Sequence, residues 1–402
     1  MVIRMETIIE DCREIPVIGK YDTVVAGGGI AGVAAALGAA RNGAKTLLLE
    51  SQYMLGGLAT AGLITYYLPL CDGMGTQVSY GLAEELLKLS VGFGEQNDYP
   101  DAWLNGNDPE NRKKHRYSTQ FDANVFAILL EELLIKEGVE ILYGTLVCGI
   151  QKNGTHIESV IVENKSGRGA ILSGTVVDAT GDAAVCHLCG EETALYGDKN
   201  KIAAWYYEFA DGKYELHCLG ARDSVDEGEG NKILGLFDGV AAKDLSDVTL
   251  ISHKVILDDF LKRGKVGRNH AVATIATTPQ VRMNRRLCGQ KSISVSDERK
   301  SFHDSIGMFA SWRKKDVVFE VPFGCLIGRK TSNLIVAGRC ISVENDLWDL
   351  SRVIPVCAVT GEAAGIACTL TDNFFEINVS ELQNKIRRRG GKIHFGEVYK
   401  NT

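Results

Sequence analysis

Three glycines at fixed spacing are the residues best suited to chemistry in this chain. Gly27, Gly29 and Gly32 form G-x-G-x-x-G within YDTVVAGGGIAGVAAALGAARNGAKTLLLE, residues 21–50. The apolar run 21–26 predicts a strand, the Ala-rich run 30–42 a helix stopped at Gly43, and 45–49 a second strand closed by Glu50. Gly27 then makes the tight turn, Gly29 lets the backbone approach a pyrophosphate, and Gly32 lets the helix pack close on the strand. The helix start offers free N–H groups and a positive dipole end to that anion. Glu50 lies 18 residues beyond Gly32, in the range where a carboxylate accepts from ribose hydroxyls, and it would repel a 2′-phosphate. G-x-G-x-x-G alone arises by chance in loops. Here strand, helix, strand and acid are all in place, and together they predict a bound dinucleotide.

Composition frames this motif. The chain has 402 residues, enough for two or three domains, with 45% hydrophobic and 24% charged residues, as in ordinary globular proteins. A formal net charge of −7 gives no support for nucleic acid or an anionic membrane surface as partner. The basic run Arg387-Arg388-Arg389 stands at a predicted helix end before Gly390, where it complements the helix dipole. The first 16 residues predict no signal peptide, and no run is long and apolar enough to predict a membrane span. Eleven scattered cysteines suit reduced thiols and a cytoplasmic location. Cys186-His187-Leu188-Cys189 is a lone C-x-x-C, without the second pair a zinc site needs, and it reads as buried structural thiols.

The elements that must position the motif follow in order. Residues 79–90 predict an amphipathic helix, 91–117 a polar loop excursion, and 122–137 a strong helix with Asp122 near its start. Residues 139–142 and 146–151 predict strands, and 155–164 with 169–177 a hairpin, making a three-stranded meander. From 196 to 324 the character changes. Residues 201–209 and 213–219 predict paired strands, 223–231 an acidic loop, 246–263 a helix with Ser246 as its cap, and 271–281 another strand. This stretch is expected to be a mixed α+β substrate domain inserted between residues 1–195 and 325–402. In the last part, 333–337 predicts a strand ending at Gly338-Arg339, and 353–372 and 379–389 predict helices.

Three glycine-rich segments, 27–60, 178–182 and 337–365, each lie at the carboxyl end of a predicted strand, where open α/β sheets bind ligands. At this point the sequence resembles the glutathione-reductase-type flavoproteins. In particular it is similar to the FAD-dependent oxidoreductase family that includes the flavin core of heterodisulfide reductase flavin subunits. The residues that carry the resemblance are AGGGIAGVAAALGAARNGAKTLLLE, GGLATAGL, VVDATGDA, TPQVRMNRRLCG, NLIVAGRCIS and RVIPVCAVTGEAAGIA. The resemblance implies an α/β fold: a doubly wound, Rossmann-like parallel-sheet domain of the glutathione-reductase type, holding FAD rather than NAD. It implies that Gly27, Gly29 and Gly32, with Gly28 and Ala31, hold the pyrophosphate, and that Glu50, beside Ser51, holds the adenosine ribose. Gly57, Leu58 and Ala59 are expected along the flavin, Val147 at adenine, and Ala179, Gly181 and Asp182 near the adenosine half. Gly338 and Arg339 stand where many relatives carry Gly-Asp with a ribitol-binding Asp, so Arg339 leaves that contact open. The segment from Gly361 to Gly365 is expected to aim a helix start at the flavin. A second G-x-G-x-x-G for a nicotinamide cofactor and the C-x-x-x-x-C of disulfide reductases are both missing from the sequence.

The reacting residues are less defined. His270 reads either as a proton carrier at the flavin or as a packed histidine. Arg282, Arg285 and Arg286 read either as a carboxylate fork or as a solvated strand edge. On one strand, Arg282 and Arg286 would share a face. Arg352 reads as a ligand for phosphate, Glu or substrate. Trp205 and Trp348 read as packing. The expected activity is oxidation or reduction of a small, anionic organic substrate by hydride transfer at flavin N5, with a separate electron donor or acceptor. The other reading is an FAD-carrying electron-transfer subunit without a substrate of its own. Nothing in the sequence speaks to oligomeric state.

Overall fold

The structure, a computed structural model, describes residues 8, 10, 12–91, 103, 109–114, 119–221, 235–264 and 266–399. In the first part lie β1 (Val17–Ala26), α1 (Ile30–Ala40), β2 (Thr46–Leu49), α2 (Leu82–Val91), α3 (Ala123–Lys136), β3 (Glu140–Leu142), β4 (Leu146–Asn153), β5 (His156–Asn164) and β6 (Gly167–Asp178). The middle carries β7 (Thr193–Leu195), β8 (Ala203–Ala210), β9 (Lys213–Gly220), α4 (Ala242–Arg263), β10 (His270–Ile275), β11 (Arg285–Leu287), β12 (Ser305–Ala310) and β13 (Val318–Pro322). The chain closes with β14 (Leu334–Val336), α5 (Asn345–Ser351), α6 (Ile354–Ala367) and α7 (Val379–Arg388).

β3, β2, β1 and β6 run parallel in that spatial order, and β14 continues the parallel sheet beside the end of β6. The apolar runs of β1 and β2 are fully buried, as a sheet covered on both faces requires. β6 has a second neighbour. Its first half pairs antiparallel with β5, and β5 with β4, which is the expected meander. One 12-residue strand thus belongs to both arrangements.

Helix α1 lies against α6. Their small residues have a physical cause: a Cβ on Gly38 would sit 2.7 Å from the Glu362 carbonyl oxygen, and one on Gly365 would overlap the Ala35 carbonyl. Asp122 caps α3 by accepting from the Asn124 and Val125 N–H groups at 2.9 Å each.

The middle stretch departs from expectation in three places. Helix α4 starts at Ala242 rather than 246, and Ser246 donates back to the Ala242 carbonyl inside it. Asp238, earlier in the chain, accepts from Val240 and Ala241 at the approach to the helix. β10 ends at Ile275, before Pro279, whose nitrogen has no proton for a ladder. β12 and β13 form a hairpin whose Ile306, Phe309 and Phe319 join the core under the parallel sheet rather than the sheet of β9, β8 and β10. Most of 91–117, and residues 223–231, lie outside the described residues; within the former, Pro109–Lys114 is a helix and Trp103 is buried. No single helix among the described residues is long and apolar enough to cross a membrane.

Candidate functional site

A cavity of about 380 Å³ opens at the carboxyl ends of β1, β2, β6 and β14. The first glycine turn shapes its floor. Gly27 has φ +101°, and a Cβ there would lie 2.5 Å from the Ala179 carbonyl oxygen. A Cβ on Gly32 would overlap the Gly27 carbonyl, so the start of α1 packs directly on the turn. At Gly29 a Cβ would meet nothing within 4 Å, because that position faces the open cavity. Glu50 is buried at the wall. Its Oε2 accepts from the Gly28 N–H at 2.7 Å, and its Oε1 accepts from the Gln52 N–H at 2.8 Å and the Ser51 hydroxyl at 3.1 Å. Ala31, Ser51, Gly57, Leu58, Ala59 and Val147 line the same space.

The other walls come from distant segments. Arg339 donates from Nε to the Gly181 carbonyl at 2.6 Å and from Nη1 to the Val281 carbonyl at 2.5 Å, clamping two chain segments together. Burial pushes its guanidinium pKa down. Asp182 lies alongside, and no donor among the described residues reaches its buried Oδ1. Ala179 and Gly181 complete that wall. Arg352, at the end of α5, donates from Nε and Nη2 to Asp349 Oδ1 at 3.1 and 2.5 Å, and Arg313 holds the same carboxylate through Oδ2. Ile354 and Cys357 bring the start of α6 to the wall, and burial pushes the Cys357 thiol up to about 11.

Several sequence-derived candidates lie elsewhere. Gly361 is mid-helix in α6, which begins at Ile354; a Cβ on it would overlap the Ala31 carbonyl, so it serves the helix contact rather than the cavity wall. Gly338 has φ +79° and packs against Ala31 behind the wall. Arg282 is outside any strand and stacks on Trp205 at 4.9 Å. Arg286 stacks on Trp348 at 5.5 Å. The two therefore do not form one fork, because the strand that would have aligned them ends at Ile275. Arg285, expected to point the other way, donates to the Asp182 carbonyl at 2.8 Å. His270 is paired with Glu208 and packed on Phe260, and it does not line the cavity. Cys186 and Cys189 are both buried, and burial pushes both thiols up, Cys189 to about 12. The Arg313–Asp349 pair that holds Arg352 was not found from sequence, since Arg313 and Asp349 are 36 residues apart.

A second cavity, about 690 Å³, lies on the face of β8 opposite Glu208. Tyr66, Phe121, Tyr207 and Phe209 line it, Asp122 brings a carboxylate to it, and no Lys or Arg is among its described lining residues.

A family model described as "FAD dependent oxidoreductase" matches residues 22–219 and 244–386. The chain belongs to that family, and FAD is its cofactor. It is also similar to a thioredoxin reductase of Ureaplasma parvum serovar 3, with 35% identity over 71 residues, or 18% of this chain and 23% of that protein. Among solved structures, it is similar to a geranylgeranyl bacteriochlorophyll reductase-like protein from Thermoplasma acidophilum (14% identity, TM-score 0.46, 93% of this chain and 84% of that one). A p-nitrophenol 4-monooxygenase from Pseudomonas putida gives 13% identity and TM-score 0.46, over 92% of this chain and 84% of that one.

The site fits the cofactor on its own terms. The open Gly29 position leaves room for a pyrophosphate at the start of α1, and Asp182 Oδ1 offers an acceptor for a hydroxyl of the linking chain.

Proposed function

We propose that this flavoprotein is of the glutathione-reductase type and oxidises or reduces a small, anionic organic molecule. Bound FAD supplies hydride exchange at N5, and a separate electron donor or acceptor completes turnover. Gly27, Gly29 and the start of α1 hold the pyrophosphate, Glu50 the adenosine ribose, and Asp182 a hydroxyl of the chain between the two ends. Residues 196–324 contribute Gly239, Thr278, Pro279 and Val281 to the wall, which is the support for reading this stretch as the substrate domain. Eleven free cysteines agree with a cytoplasmic location.

One observation carries the anionic substrate. Arg352 lines the cavity, and while Nε and Nη2 are held by Asp349, Nη1 makes no hydrogen bond among the described residues. The salt bridge fixes the guanidinium plane and leaves a charged donor at the wall. The second cavity, with a carboxylate and no Lys or Arg among its described lining residues, is the wrong environment for an anion. The test is anaerobic flavin bleaching by amino acids, 2-hydroxy acids and neutral sugars, with wild type and Arg352→Met of equal flavin content. Bleaching by an acid, with KM raised about tenfold or more in the variant, a scale of about 1.4 kcal/mol, supports the reading. Bleaching by sugars alone, or an unchanged KM, removes it.

A further inference from the structure

The face of the β9–β8–β10 sheet that packs under α4 carries an unusual group. Glu208 sits on the central strand and is 4% exposed. His217, on the strand to one side and 6% exposed, points Nε2 at Glu208 Oε2 at 2.7 Å. His270, on the strand to the other side, points Nε2 at Glu208 Oε1. Glu215 lies directly across the strand pair from Glu208 and is exposed. One ligand atom from each of Glu208, Glu215 and His217 lies within 4.8 Å of the others. Three groups with metal-ligating atoms thus meet at one place, and His270 holds the other oxygen of Glu208.

We propose that Glu208, His217 and Glu215 form a binding site for a divalent transition-metal ion, with His270 positioning the Glu208 carboxylate. Charge argues for it. Two carboxylates directly opposite on neighbouring strands repel. A divalent cation neutralises both. Distances agree as well. Ligand atoms about 2.0–2.2 Å from a common ion stand roughly 3 to 3.5 Å apart, within reach of small side-chain rotations here. The donor set chooses the ion: an imidazole nitrogen with two carboxylates suits Zn²⁺, Fe²⁺, Co²⁺ or Mn²⁺ better than Mg²⁺ or Ca²⁺.

The surroundings are those of a built site. Tyr206 packs on His217 with ring centroids 5.0 Å apart, and Phe260 of α4 on His270 at 4.4 Å. Asp259, the nearest other carboxylate on α4, is held by Tyr206 and Arg263. Glu215 at the rim gives the ion a way in. An ion here would tie β8 to β9 and stiffen the part of the chain that meets the flavin cavity.

The test uses full-length holoprotein freed of metal by a chelator. Zn²⁺ is titrated by calorimetry and Co²⁺ by its visible ligand-field absorption, with thermal unfolding followed in parallel. The expected result is one ion per chain, intense Co²⁺ bands and a raised Tm. Affinity should fall at least a hundredfold in His217→Ala and at least tenfold in Glu215→Gln, while the exposed control His303→Ala binds as wild type. Glu215→Gln changes an exposed residue, so it keeps the test valid if His217→Ala does not fold. No Zn²⁺ or Co²⁺ binding by wild type, or binding unchanged in Glu215→Gln, overturns the proposal.

Discussion

The Glu50 carboxylate closes on the Gly28 N–H at 2.7 Å, so the acid at the end of β2 pins the turn that ends β1. Glu50 therefore shapes the glycine turn as well as lining the cavity. Glu50→Arg should lose most of its FAD, since a charge-assisted hydrogen bond is replaced by repulsion, at about 2 to 4 kcal/mol. Flavin content by absorbance reads this out; a fully loaded variant would sink the assignment.

Gly361 rests on the Ala31 carbonyl, and this contact sets the approach of α6 to α1. Gly361→Val should destabilise the protein by about 2 to 3 kcal/mol, because the helices must separate to admit the side chain. Urea unfolding measures it. A variant as stable as wild type would show that the helices do not depend on this approach.

Glu362, on the same helix, is buried and accepts from the Leu82 N–H at the start of α2, at 2.8 Å. Desolvation raises its pKa from 4.5 to about 7. Between those values the folded chain holds a proton that the unfolded chain releases. Its contribution is therefore complete below pH 4.5 and is lost as pH rises through 7. The difference is on the order of 3 kcal/mol. Glu362→Gln should match wild type near pH 4.5 and exceed it in stability above pH 7. Parallel stability–pH curves for the two proteins would contradict the buried-acid account.

The sequence has one G-x-G-x-x-G, so NADH and NADPH should reduce the flavin only slowly and without saturation. Stopped-flow reduction that saturates in the micromolar range would place a nicotinamide site within residues 195–324.

Local patterns were enough for the dinucleotide half of the site. The glycine turn, the helix behind it and Glu50 lie within 30 residues, and each obeys a rule of backbone sterics or helix electrostatics that acts over short range. The meander was legible for the same reason, as alternation along strands joined by tight turns. The other half depended on contacts between segments far apart in the chain. Arg282 was assigned to a strand by its neighbours, yet the ladder stopped at Ile275 and the side chain turned onto Trp205. Gly361 looked like a flavin contact because glycine-rich helix starts often are. Only the packing of α6 on α1 shows that its missing side chain makes room for a carbonyl. The sequence left His270 either a proton carrier or a packed histidine, and the sheet set it beside Glu208. Spacing along the chain carries the local rules, whereas the direction of a buried arginine or histidine depends on which partner the tertiary fold brings within reach to offset its desolvation.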